Sequence, residues 1–432
     1  MKAWINVNVY DFNHYQKDVY VLFDETIHEV GPMHAFKDKG YTIYDGKGLL
    51  LMPALVVGHT HIYSTFARGL SMPFNPSNFQ EILDQLWWRL DGEIDAEITY
   101  YSGLVHAIDS VKNGVGTLID HHASGRGIRG TLGVLKESVV NTVGLRGLFC
   151  FETSDRFNVD DAINENLTFF SQEETGYVGA HFGLHASMSL SEETLEQVSK
   201  VLKGRPIHIH VAESELDQAD ALEHYDERVI ERLDRHQLLN KDSIIVHGLY
   251  LNDNELDIIK ERECVVALNV SSNMNNGVGL PLYHKLKSRN IPVIIGNDGL
   301  STTITTEYLT LLYAMHLNDK TPTKFGLDDL LWIIDNTYKY VSRRLGIQLG
   351  RIQVGYASDF NLVAYQAPTP MDESNAFGHL FYGMFHSYKP RHVFINGILV
   401  VRDYEVNPAL MHKAKEAKKE ARRLWKRLQE GA

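Results

Sequence analysis

Gly58-His59-Thr60-His61 sets two imidazoles two residues apart. On an extended chain such residues point to the same side, so both can reach one ion. Zn²⁺ and similar ions take neutral imidazole nitrogen at about 2.0–2.1 Å, with carboxylate oxygen at comparable distance. A His-x-His pair alone is a weak signal, since the chain has 21 histidines and repeats the pattern at His208 and His210. Position strengthens it. His210 and Asp298 each stand at the polar end of an apolar run, which gives a candidate metal site of His59, His61, His210 and Asp298. Glu213 follows His210 by three residues, near the ion without being needed as a ligand. A sheltered carboxylate there, its pKa raised toward neutrality, can carry a proton from water to a leaving nitrogen. Its alternative is a surface glutamate opening a helix, because Glu215 and Asp217 follow and acidic residues favour a first turn. The ligands beside it favour catalysis. His247, ending another run, reads as a further ligand or as the group that polarises the water.

Other polar residues in the same pattern have plainer readings. His208 shares a strand face with His210 but lies one layer deeper, which suits a hydrogen-bonded core histidine. His121 and His122 fit equally a pocket wall, an orienting partner for the ligands or a structural role. Arg146 reads as a buried packing and hydrogen-bonding residue.

These residues need elements that converge. Eight apolar runs recur along the chain: Ala54–Gly58, Gly116–Asp120, Gly144–Phe151, Val178–Leu184, Ile207–Val211, Ser243–Val246, Val265–Asn269 and Pro292–Gly296. Helical stretches separate them; in Ser191–Lys203, Ser191 suits an N-cap and Glu192 and Glu193 suit a first turn. At or just past the ends of the runs stand His59 and His61, Asp120 to His122, Glu152, His185, His210 and Glu213, His247, Asn269 and Asp298. A (β/α)₈ barrel gathers strand ends on one face, where active sites sit, whereas a doubly wound open sheet would spread them out. The barrel is therefore expected over residues 52–351. Short alternating strands over residues 1–51 and 352–406 predict one small β-sandwich domain assembled from both ends of the chain. Residues 407–432 read as a helix with Leu424, Trp425 and Leu428 on its apolar side. In the stretch 63–90, expected near the pocket, Trp87 and Trp88 read as core packing of a helix.

Composition bounds the partners. With 42 Lys+Arg against 55 Asp+Glu, the 432-residue chain carries a net charge of −13, which disfavours a phosphate backbone. No run approaches the roughly 20 apolar residues that span a bilayer. Met1–Tyr10 alternates like a strand, unlike a signal peptide, and two cysteines in apolar runs make no disulfide framework. A reducing, cytoplasmic setting is expected, with a small-molecule substrate, no nucleic acid, no membrane, and a homodimer or higher homo-oligomer.

As a set, Gly58–His61, His210–Glu213, Val246-His247-Gly248, Ser271–Asn276 and Gly296–Gly299 resemble the metal-dependent amidohydrolase superfamily. The branch they resemble is that of cytosine deaminases, chlorohydrolases and adenosine-nucleoside deaminases, and Asn273–Gly279 resembles the SsnA-type aminohydrolases. The resemblance runs over nearly the whole chain. It implies one divalent ion, zinc or iron, on His59, His61, His210 and Asp298. It implies Glu213 as proton shuttle, His247 beside the nucleophilic water, Asp298 also as the base, and His185 as a substrate contact; His122, from its place at a strand end, is a further candidate for substrate contact. Hydrolytic deamination of a heterocyclic or amidine-like C–NH₂ group follows; expulsion of chloride, opening of a cyclic amide, or metal binding without turnover are the alternatives. Two departures flank the pocket: Asn269-Val270-Ser271 where many relatives carry a proline, and Asn297 where many carry Thr.

Overall fold

Parallel strands covered on both faces are built from unbroken apolar runs, and the eight runs do become strands. The computed structural model describes residues 1–430. Barrel strands are β1 Leu55–Thr60, β2 Val115–His122, β3 Arg146–Phe151, β4 in two pieces Val178–Ala180 and Phe182–Ala186, β5 Ile207–Val211, β6 Ile244–His247, β7 Val265–Leu268 and β8 Val293–Ile295. All neighbours pair in parallel, in two arcs, β1 to the first piece of β4 and the second piece of β4 to β8. Parallel bridges join the arcs at both seams, Thr153 with Leu184 and Thr60 with Asp298. The result is a (β/α)₈ barrel.

Glycine makes the β1–β8 seam possible. A Cβ at Gly58 would lie 2.7 Å from the Ile295 carbonyl oxygen, and one at Gly296 would lie 2.5 Å from that of His59. Across this contact Asn297 N donates to His59 O and His61 N to Asp298 O, both at 3.0 Å. Three residues of the candidate metal site, His59, His61 and Asp298, are thus fixed by the closure of the barrel itself.

Helices form the outer layer. Glu192–Leu202 starts where Ser191 Oγ accepts from Thr194 N and stops at Lys203, in the left-handed region at φ 49°. Outside the barrel a nine-stranded sheet draws strands from both ends of the chain. Leu50–Pro53 is its stitch, parallel to Lys2–Tyr10 on one side and antiparallel to Phe360–Val363 on the other. Trp4, Phe23, Phe360 and Phe394 form a core of its own, with Phe23 and Phe360 edge-to-face at 5.1 Å. Arg146 of β3 reaches from the barrel to Asp359 with two bonds of 2.7 and 2.8 Å, both residues buried.

Helix Ala417–Glu430 buries Leu424 and Leu428 and ties Arg423 and Arg427 to Asp95. The last two positions of the expected 407–432 helix, 431 and 432, lie outside the described residues. Trp87 packs against the buried cluster of Leu90, Ile94 and Leu424, as the core reading has it, and Trp88 departs from that reading. A π-helical turn over Leu83–Trp87 interrupts the regular helical stripe immediately before Trp88, and both rings line the central cavity. Among the described residues no helix is long and apolar enough to cross a membrane.

Candidate active site

Each site residue stands where a barrel strand ends. His59 and His61 share a face at the end of β1, His210 belongs to β5, and Asp298 follows β8. Sharp turns aim the side chains: Ala212, His247 and Asp298 all adopt left-handed backbone, at φ 47°, 69° and 55°. Non-glycine residues rarely do so, and such strain gathers at functional sites.

His59, His61, His210 and Asp298 bring one ligand atom each within 4.8 Å of one another. His61 Nε2 lies 3.1 Å from His210 Nε2 and 3.1 Å from Asp298 Oδ1, and His59 Nε2 lies 3.2 Å from the same oxygen. Bonds of about 2.0–2.1 Å in a tetrahedron separate ligand atoms by about 3.3 Å, so the spacing fits a single small ion. Ring orientation fits as well. His61 Nδ1 donates to the His121 carbonyl at 2.7 Å and His210 Nδ1 to the His185 carbonyl at 3.0 Å. A carbonyl only accepts, so both Nδ1 atoms carry hydrogen, and in the neutral rings both Nε2 atoms aim lone pairs at the same point. His59 Nδ1 pairs with His208 Nε2 at 2.9 Å; His208 is a buried histidine that holds the orientation of its neighbour. These residues suit a divalent cation.

Beside them stand His247 and Glu213. His247 Nε2 stands 3.3 Å from Glu213 Oε2 without the alignment of a hydrogen bond, which leaves its N–H available. Burial, with Asp298 nearby, holds the Glu213 carboxyl well above the usual range, and burial lowers His247 to about 3. Burial thus favours the protonated carboxyl at Glu213 and the neutral imidazole at His247. One short helix, Val270–Asn276, supports Asp298, His247 and Glu213 together. Ser272 Oγ donates to Asp298 Oδ2 at 2.5 Å, Asn273 Nδ2 to His247 Nδ1 at 2.8 Å, and Asn276 Nδ2 to Glu213 Oε1 at 3.4 Å. The Ser271–Asn276 motif was visible in the sequence, but this job required the fold to show it.

The remaining expected residues separate. His185 lines the cavity together with His61, His210, Glu213 and Asp298. His122 is not brought there: it is buried among Thr99 and Thr131, with Nε2 3.1 Å from Thr131 Oγ1. Adjacent strand residues face opposite sides, and His121 takes the inner face, its ring 4.7 Å from that of His210. A substrate contact at His122 is accordingly dropped. Asp91 and Arg156 were missed, since nothing local in the sequence marks them as partners.

Residues 50–400 match the sequence model of the amidohydrolase family. The chain belongs to the amidohydrolase family. This amidohydrolase is 27% identical over 345 residues to a protein named 5′-deoxyadenosine deaminase from Methanobrevibacter smithii, covering 77% of each chain. In fold it is similar to an adenosine deaminase from Xanthomonas campestris with bound zinc, at TM-score 0.80 and 20% identity over 98% of this chain and 100% of the other. It is also similar to atrazine chlorohydrolase from Arthrobacter aurescens with zinc, at TM-score 0.78 and 18% identity over 96% and 100%.

Charge at the ligand group sets a measurable cost for metal uptake. Burial pushes His61 down, but contact with Asp298 outweighs it and raises the group to about 9. Burial keeps His59 near 4 and His210 well below its usual value, and both are neutral at pH 7. Burial alone would raise Asp298, yet His59 and His61 hold it well below the usual carboxylate range. A metal ligand must be deprotonated. Metal-stripped protein at pH 7 should therefore release about one proton per ion bound, with affinity falling about tenfold per pH unit below 9 and levelling above it. Calorimetry in buffers of different ionisation enthalpy reads this directly; uptake without proton release would contradict it.

Proposed function

We propose that this amidohydrolase is an aminohydrolase: it hydrolyses the C–NH₂ group of a purine, pterin, pyrimidine or nucleoside-like substrate and releases ammonia. The observation that carries the reading is Glu213, a carboxyl that lines the cavity between His247 and the ligand group, where burial favours its protonated form. An amine departs only after it gains a proton, and a donor placed here supplies one. Deaminase relatives and the deaminase fold neighbour support the same reading.

His59, His61, His210 and Asp298 would hold the ion. Zinc is proposed, because both solved neighbours carry it and imidazole with carboxylate suits it; iron is the alternative. When bound, the ion lowers the pKa of water from 15.7 toward about 7 and so supplies a nucleophile at neutral pH. Asp298 receives the water's proton, its Oδ2 fixed by Ser272. His247 keeps its own proton on Nε2, because Nδ1 accepts from Asn273, and it steers the attacking oxygen toward the carbon that bears the amine. Glu213 protonates the adjoining ring nitrogen; the proton that Asp298 took from the water passes to the amino group, which leaves as ammonia, and the new hydroxyl returns its proton to Glu213 as it becomes a carbonyl. His185 is proposed to contact the substrate. The two cysteines, both buried and unpaired, support a reducing, cytoplasmic setting.

Losing the Asn273 amide frees the His247 ring to turn or to change tautomer. Asn273→Ala should lower kcat by about 10–100-fold at unchanged metal content, the range seen when an orienting partner is removed. Equal kcat would remove Asn273 from this role.

The test of the reading is ammonia release from purines, pterins, pyrimidines and their nucleosides by metal-stripped and zinc-reloaded protein. Ammonia from the reloaded protein alone is expected. Chloride release from a chlorinated ring without ammonia from any amine would favour a chlorohydrolase. Full metal occupancy with no hydrolysis would favour a protein without turnover.

A further inference from the structure

The cavity that reaches the ligand group also has a wall with no task in the reaction. Asp91, Glu152 and His185 line it beside Trp88, and all three are more than nine-tenths buried. Behind them lies Arg156. Its Nη1 and Nη2 reach Asp91 at 3.2 and 2.9 Å, Nη2 also donates to Glu152 Oε1, and the guanidinium covers the Trp88 ring at 4.9 Å. Its forked end is occupied by the two carboxylates.

Hydrogen-bond directions make this a wall of acceptors. Ser189 Oγ donates to the Ala186 carbonyl at 3.0 Å, so its lone pair receives Nδ1–H of His185 at 2.6 Å. His185 Nε2 is left as an unpartnered lone pair on a buried side chain that lines the cavity. Glu152 Oε2 takes no hydrogen bond either, with His121 Nδ1 3.7 Å away. Among the described residues, five carboxylates line the cavity and no Lys or Arg does. With Glu213 holding its proton, as the deaminase reading requires, four charges remain at most, and a divalent ion and Arg156 offset three of them.

We propose that this wall is a subsite for a substituent that carries at least two O–H or N–H donors and no negative charge. A sugar's vicinal diol or an ammonium group has that chemistry. Glu152 Oε2, Asp91 and His185 Nε2 accept the donors, and Arg156 fixes both carboxylates. A phosphate or carboxylate is rejected, because it would meet buried acceptors with no donor to pair it. The inference rests on the deaminase reading for one thing: the amine points to the ligand group and the substituent to the wall.

Calorimetric binding to zinc-loaded Glu213→Gln protein tests the subsite without turnover. The probes are adenine, adenosine, adenosine 5′-monophosphate and an aminopropyl adenine, with the corresponding guanine set in parallel. In at least one set the nucleoside or the aminopropyl compound should bind about tenfold or more tightly than both the free base and the monophosphate, as expected for hydrogen bonds to charged groups. Which of the two leads identifies the donor. Adding Glu152→Gln, or Asp91→Asn where that protein does not fold, should remove the advantage and leave the free base unchanged. A monophosphate that binds as tightly as the nucleoside, an unchanged ranking in the variants, or no binding by any probe would overturn the subsite. Ammonia release without the ranking would remove the subsite and leave deamination standing. The ranking without ammonia release would do the reverse.

Discussion

Glu213→Gln should lower kcat by about 10²–10⁴-fold while the protein keeps its ion, the span that one positioned acid–base group supplies. Glutamine preserves the shape and the contact with Asn276 Nδ2 but has no acidic proton to give. The side chain lies outside the four-residue ligand group, so metal content should match the unaltered protein. A pH profile separates this loss from misfolding. Burial raises the Glu213 carboxyl well above its usual value, so the donor form persists above the ordinary carboxylate range and is lost as pH rises through the raised pKa. The unaltered enzyme should accordingly lose its proton-delivery step on the alkaline side, and the variant should show a low rate without that fall. Equal kcat in the two proteins would take Glu213 out of the mechanism.

Asp359→Ala should destabilise the fold by about 3–5 kcal/mol, the range for breaking one partner out of a buried ion pair. Arg146 and Asp359 meet through two bonds of 2.7 and 2.8 Å, and Asn396 N adds a third to Asp359 Oδ1 at 2.7 Å. Removing the carboxylate strands a guanidinium that is 1% exposed. Replacing both partners by apolar residues of similar volume should recover most of the loss, because desolvating two charges offsets much of their attraction. Denaturant unfolding measures both variants. A loss below about 1 kcal/mol would match a solvent-exposed pair and contradict the burial described.

Much of the barrel was legible because strands covered on both faces need no polar residue until they end. That made β5 to β8 readable as apolar runs and put His210, His247 and Asp298 in view together. Boundaries were less legible. Gly144, counted in the third run, is instead the left-handed cap of the preceding helix at φ 97°. His181, counted inside the fourth, falls between the two pieces of β4 and bonds Tyr340 Oη at 2.6 Å. Spacing brought out the four residues of the ligand group, since a two-residue repeat and strand ends are local features. Partnerships across 26 to 63 residues, such as Asn273 with His247 or Asn276 with Glu213, leave no periodic trace. The Asp91–Arg156 pair spans 65 positions and was invisible for the same reason. The cavity-facing side of Trp87 and Trp88 was hidden because a π-turn changes which residues share a face.

Asp298 belongs to two groups of ligand atoms, one with His59, His61 and His210 and the other with Glu213 and His247. An anomalous difference map of zinc-loaded crystals, recorded on both sides of the zinc edge, decides between them. One peak within bonding distance of the Nε2 atoms of His59, His61 and His210 and of Asp298 is the result expected here. A peak on Glu213 and His247 instead, or none near Asp298, would contradict it.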